Sequence, residues 1–124
     1  MRTVIQKQTF TGQNNSFDAD SALVLDCRFT DCLMQGATFS DAVLVRCDFK
    51  EVSLYWAHMF RTVFLDCSFT AVEFRGANME ECMFVRCALV RCDFSRDDLG
   101  GETDLSVVAF VDSERTDCRH DNPA

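Results

Sequence analysis

The sequence predicts an all-β fold, a solenoid that turns a corner every five residues and keeps two side chains of each five inside. Two observations predict it. Every fifth residue from Val24 to Leu99 is apolar, sixteen positions in succession: Val24, Phe29, Met34, Phe39, Leu44, Phe49, Leu54, Met59, Phe64, Phe69, Phe74, Met79, Phe84, Leu89, Phe94 and Leu99. Two residues before each stands something small (Ala22, Cys27, Cys32, Ala37 and so on to Cys92), and only the last, Asp97, is charged. A helix buries residues three and four apart and a strand every second residue. A strict period of five fits neither.

The elements follow in order. Residues 1–21 form an N-terminal partial coil and a loop. "QTFTG" at 8–12 is repeat-like around Phe10 but out of phase with Val24, and "QNNSFDADS" at 13–21 is rich in turn formers. Residues 22–99 form the regular coil. The phase then slips at "GGE", and Leu105 and Phe110 resume the spacing, which makes 100–111 a partial fifth coil. From Asp112 the chain reads "DSERTDCRHDNPA", and 112–124 is expected to be a polar, flexible tail.

The segments "ATFSD", "CDFKE", "CSFTA", "GANME" and "CDFSR" resemble the A(D/N)LXX repeat of the pentapeptide repeat family. The resemblance implies a right-handed, four-sided parallel β-helix of about four to five coils. Four pentapeptides would make one square coil, with coils stacked at the ordinary ~4.8 Å strand spacing. Residues 20 apart would then lie over one another. Cys27, Cys47, Cys67 and Cys87 form one inward column, beside Phe29, Phe49, Phe69 and Leu89. A free cysteine behaves as a small apolar group, so packing is the role expected for these thiols. The spacing of Cys82, Cys87 and Cys92 puts successive thiols on different sides of the square, unlike a zinc knuckle. Neither metal nor cofactor is expected. Cys118 is the thiol expected to be most exposed.

One side of the square is unusual. Its four strands read "ALVLD", "AVLVR", "TVFLD" and "CMFVR". The outward columns are Leu23, Val43, Val63, Met83 and Leu25, Val45, Leu65, Val85, apolar at all eight positions. A contiguous apolar patch on a protein surface marks an interaction site. Two readings stay open: cover by the chain's own ends, or a partner, with a homodimer as the default because most oligomers are symmetric. Full burial of eight aliphatic side chains gives a gross ~12–24 kcal/mol, much of it consumed by association entropy. Asp26, Arg46, Asp66 and Arg86 border this face and alternate in sign, as stacked coils require. A second candidate contact is Tyr55, Trp56, His58 and Phe60 in "LYWAHMF". It is either a partner hot spot or a local cover over the corner where Gly36 and Gly76 stand.

Composition limits the function. No apolar run approaches the ~18 residues of a membrane span, and no secretory signal is read at the N-terminus. Eight cysteines without such a signal point to a reducing cytoplasm. Nucleic acid and membrane are not expected partners, since the net charge is −8 and the arginines are interleaved with acids. Neither His58 nor His120 stands at motif spacing from a nucleophile, and a prism filled by Phe, Leu and Met offers no catalytic concavity. The expectation is a non-enzymatic protein–protein interaction scaffold with an unidentified protein partner.

The resemblance also implies an alternative. Some family members imitate duplex DNA and bind DNA gyrase, conferring quinolone resistance, and "TFTG" followed by "DCRF" is similar to the start of that subgroup. The charge here is uneven. Residues 21–92 hold nine acids and seven bases, whereas 93–124 hold nine acids and three bases, so six of the eight net negative charges lie at the C-terminal end. A DNA mimic carries charge along its length, as phosphates do.

Overall fold

The computed structural model describes residues 2–13 and 16–120. In chain order its strands are β1 (Val4–Gln6), β2 (Thr9–Gln13), β3 (Leu23–Leu25), β4 (Arg28–Leu33), β5 (Val43–Val45), β6 (Asp48–Lys50), β7 (Val63–Leu65), β8 (Ser68–Thr70), β9 (Met83–Val85), β10 (Ala88–Val90), β11 (Ala109–Val111) and β12 (Glu114–Thr116). The odd-numbered strands form one six-stranded parallel sheet and the even-numbered strands another. Isolated parallel bridges form the other two sides: Asp18, Thr38, His58, Asn78 on one and Leu33, Ser53, Glu73, Asp93, Arg119 on the other. The chain is thus a right-handed, four-sided parallel β-helix, as the resemblance to the pentapeptide repeat family implies. Each successive pair of strands, β1 with β2 through β11 with β12, defines one of six layers.

The geometry follows from the five-residue unit. Three residues run extended, then one turns the corner in the left-handed region. Fifteen successive corners from position 21 to position 91 sit at positive φ, and only Gly36 and Gly76 among them are glycine. At each regular corner the N–H of the turning residue donates to a carbonyl of the next layer, as Asp26 does to Val45 at 3.0 Å and Arg46 to Leu65 at 2.9 Å. The bend is therefore closed by the stacking itself.

The interior is two residue types deep. Phe29, Phe49 and Phe69 stack face to face with centroids 4.5 and 4.9 Å apart, and Phe64 stacks on Phe84 at 4.8 Å. The small column beside them is Ala, Val and Cys. Its one hydroxyl, Thr62 Oγ1, donates to the Phe39 carbonyl at 2.8 Å. Cys47, Cys67 and Cys87 likewise lie within hydrogen-bonding reach of the Val24, Leu44 and Phe64 carbonyls of the preceding layer. Among the described residues no buried side-chain nitrogen or oxygen lacks a partner.

The ends differ from the sequence expectation. Residues 16–21 complete a first coil. Phe17 takes the position held above it by Ala37, packing on Phe10 and Phe39 with centroids 5.1 and 5.4 Å away, while Ala19 takes the central position. Large and small have changed places, which hides the repeat. Leu99 is not an inward residue: it is 82% exposed. The circuit from Met83 to Ala109 is longer than its neighbours, and residues 96–103 leave it as a loop. Leu105 fills the inward position instead, packed against the core. The tail expected from Asp112 is corrected over 112–120. Glu114–Thr116 pairs with Ala88–Val90, Arg119 bridges Asp93, and Cys118 packs against the core, half-buried. Residues 121–124 lie outside the described ones.

Candidate interaction surface

The odd-numbered sheet carries the predicted wall. Its registers are Leu23, Val43, Val63, Met83 in one column and Leu25, Val45, Leu65, Val85 in the other, with Cα partners opposed at every step. Among the described residues the chain ends do not fold over it. They lengthen it, because β1 pairs with β3 and β11 with β9. Val4, Gln6, Ala109 and Val111 thus join the face, and Val4 and Val111 are 50% and 43% exposed. These four were missed in the sequence. The signal was available in "VIQ" and "AFV", each centred on an inward residue, Ile5 and Phe110, but at irregular spacing from the main run.

Stacking also moderates the face. Seven of the eight predicted residues are half-buried by the side chains above and below, and only Met83 is open, at 39% exposure. A partner gains the remaining fraction of their area, so the gross full-burial term overstates what association can yield.

Charged corners border the wall. Arg46 Nε donates to Asp26 at 2.7 Å and Arg86 Nε to Asp66 at 2.8 Å. Hydrogen bonds from these guanidiniums hold the Asp26 and Asp66 carboxyls below their ordinary value. On the opposite edge Arg61 pairs with Asp41 at 2.8 Å. A contrasting corner stacks Asp31 beneath Glu51, and a side-chain hydrogen bond shared with Asp31, then the like charge beside it, raises the Glu51 carboxyl.

The aromatic cluster splits into two parts. Tyr55 and Trp56 lie 4.7 Å apart by centroid and clamp the 96–103 loop. Trp56 Nε1 donates to Asp97 Oδ2 at 2.6 Å, the Asp98 N–H donates to Tyr55 Oη at 2.9 Å, and Arg75 pairs with Asp98 at 2.9 Å. The indole N–H, then the Gly101 N–H, holds the Asp97 carboxyl below its ordinary value. His58 instead belongs to the bridged column of the next side, and Phe60 lies under the Arg61 guanidinium, 4.5 Å from its ring centroid.

All eight cysteines are free thiols, seven of them buried. Burial pushes Cys82 and Cys92 up to about 12, so they stay protonated at neutral pH. Among the described residues no group of three or more His, Cys, Asp or Glu could hold a metal ion.

Solved structures share this architecture. A trypsin-treated variant of QnrB1, a plasmid-mediated fluoroquinolone resistance protein, superimposes with a TM-score of 0.69 at 16% identity, covering 95% of this chain and 58% of that one. Full-length QnrB1 gives 0.66 at 14% identity, covering 94% and 58%. The present chain therefore spans less than two thirds of the length of these relatives, and at such identity the likeness is one of fold. The comparison with curated proteins found no match. The family model described as pentapeptide repeats matches residues 27–64 and 64–99 in eight copies. With more than half of its length so matched, the chain belongs to the pentapeptide repeat family.

Proposed function

We propose that this protein is a non-enzymatic protein-binding scaffold, working in the cytoplasm, that self-associates through the apolar face of the odd-numbered sheet. One observation carries the reading: the two outward apolar columns are in register over four layers, and β1 and β11, near the ends of the described residues, add layers to that face. Two such faces can pack sheet on sheet at about 10 Å. Binding rather than catalysis is supported by an interior occupied by Phe, Met, Leu, Val and Cys side chains. The reducing setting is supported by the free buried thiols.

Sedimentation of the wild type against Val43→Asp combined with Val63→Asp tests it. A concentration-dependent dimer for the wild type and a monomer for the double variant are expected. The milder Val111→Glu, at the exposed margin, should weaken the dimer without touching the core. A wild type that stays at 14.1 kDa at all concentrations overturns the reading.

A second reading has its own support, the fold shared with QnrB1, a fluoroquinolone resistance protein. On that reading the chain binds DNA gyrase. The concentration of six of the eight net negative charges in residues 93–124 weighs against it. A supercoiling assay with and without a fluoroquinolone decides: no effect at micromolar protein removes this reading.

A further inference from the structure

The apolar face lies between two charged edges, and their order constrains how a second copy can meet it. After each strand of the face comes a left-handed corner residue. From the first layer to the sixth these are Lys7, Asp26, Arg46, Asp66, Arg86 and Asp112. The sign alternates at every step, and the run is longer than the four rungs visible in the regular repeat. On the other edge the corners of the second to fifth layers are Ser21, Asp41, Arg61 and Glu81. Arg2 stands at that edge in the first layer, donating to the Asp41 carbonyl at 3.2 Å, and Val107 stands there in the sixth, accepting from the Glu81 N–H at 3.1 Å.

We propose that the partner on this face is a second copy in antiparallel orientation, related by a two-fold axis that runs along the strands between the third and fourth layers. This rests on the reading that the face self-associates. Such an axis reverses the order of layers and keeps each edge against its own equivalent. An alternating run with an even number of rungs then meets itself with opposite signs throughout: Lys7 faces Asp112, Asp26 faces Arg86, and Arg46 faces Asp66. On the other edge Asp41 faces Arg61, Ser21 faces Glu81, and Arg2 faces Val107. No like charges meet.

The alternatives are worse. A slip of one layer sets aspartate against aspartate and arginine against arginine along the whole run. A two-fold along the solenoid axis instead brings unlike edges together: Arg46 meets Asp41, Asp66 meets Arg61 and Arg86 meets Glu81, but Lys7 meets Arg2 and fewer opposite charges are paired than in the antiparallel arrangement. It also lays the two acidic ends side by side, where residues 93–120 hold eight acids against three bases in each copy. The antiparallel arrangement puts those ends at opposite extremes. Exposed ion pairs contribute little affinity, but opposed against matched signs select orientation and register. Apolar contact supplies the attraction and the edges supply the geometry.

Crosslinking in a Cys118→Ser background tests the orientation. Val4 and Ala109 lie in the same outward column at opposite ends of the face, and both are exposed. A short bis-maleimide is added to Val4→Cys alone, to Ala109→Cys alone, and to their mixture. The expected result is a crosslinked dimer in the mixture and in neither single variant. A crosslinked dimer in Val4→Cys alone overturns the proposal in favour of parallel axes. No crosslink in any sample, with a dimer still abolished by Val43→Asp and Val63→Asp, also overturns it. A wild type that sediments as a monomer, or a dimer indifferent to those aspartates, instead overturns the self-association reading beneath it.

Discussion

Corner residues at positive φ carry the most constrained backbone in the molecule. A side chain in the left-handed region costs roughly 1–2 kcal/mol, and most corners accept that cost because the corner N–H is bonded to the next layer. Gly36 and Gly76 occupy equivalent corners, with φ of 75° and 68°, yet should respond differently to alanine. A Cβ on Gly36 meets nothing within 4 Å, so Gly36→Ala should cost only the backbone term, about 1 kcal/mol. A Cβ on Gly76 would lie 2.6 Å from Trp56 Cδ1 and 2.9 Å from Asp97. Gly76→Ala should therefore cost more and displace the indole from Asp97. Trp56 is the only tryptophan, so its emission reads the difference directly: shifted for Gly76→Ala, unchanged for Gly36→Ala, with denaturation midpoints ranking the two. An unchanged spectrum for Gly76→Ala would refute the clamp. Thiols give a second measurement at this scale. With Cys82 and Cys92 raised to about 12 by burial, a disulfide reagent at pH 8 should find one faster-reacting group, the half-buried Cys118, and lose it in Cys118→Ser. The other seven should react at the rate of unfolding.

Among the elements, the inward columns and the corner ladders make separable contributions. Phe69 stacks on Phe49 at 4.9 Å and meets Phe64 and Phe84 edge-on at 5.1 and 5.5 Å. Phe69→Ala removes a ring from the middle of the stack and should cost ~3–5 kcal/mol. Phe10→Ala, at the half-buried first layer, should cost less, because repeat stability is a sum of neighbour terms. Thermal or chemical denaturation compares them. The ladders respond to acid. Asp26 and Asp66 have carboxyls lowered from 3.8 by their arginines. Their contribution is present above that ordinary value and is lost as pH falls through the lowered folded values. Asp26→Asn with Asp66→Asn should therefore destabilise at pH 7 and lose less than the wild type on acidification, followed by denaturation midpoints between pH 7 and 3. These columns were legible in the sequence because twenty residues make a circuit wherever no residue is gained or lost. Leu99 kept the period yet turned outward, and the charged Asp97 two places earlier was the signal against it. Phe17 and Ala19 exchanged large for small, so a rule built on size at fixed positions passed over them. Tyr55 and Trp56 could not be assigned from spacing, since their partners Asp97 and Asp98 lie in an inserted loop far along the chain.

For the whole molecule the decisive quantity is the size of the face. Six strands at ~4.8 Å and three residues at ~3.3 Å make it about 24 Å by 10 Å. That footprint is well below the ~800 Å² per partner of a standard stable interface, and its side chains are already half-covered by their neighbours. Two copies joined here should form a weak, concentration-dependent dimer, with dissociation in the micromolar range. Its salt response separates the two contributions. The screening length falls from ~10 Å at 0.1 M to ~3 Å at 1 M salt, so edge charges are largely silenced while apolar burial persists. Raising sodium chloride across that range should weaken the dimer by no more than about tenfold, the equivalent of ~1.4 kcal/mol. It should also relax the choice between antiparallel and parallel crosslinks, since orientation depends on the edges. Sedimentation velocity at both salt concentrations measures the first effect, and crosslinking of Val4→Cys alone, absent at low salt and gained at high salt, the second. A dimer abolished by 1 M salt would mean that the charged corners hold the copies together, and the apolar columns would then be bystanders to the association.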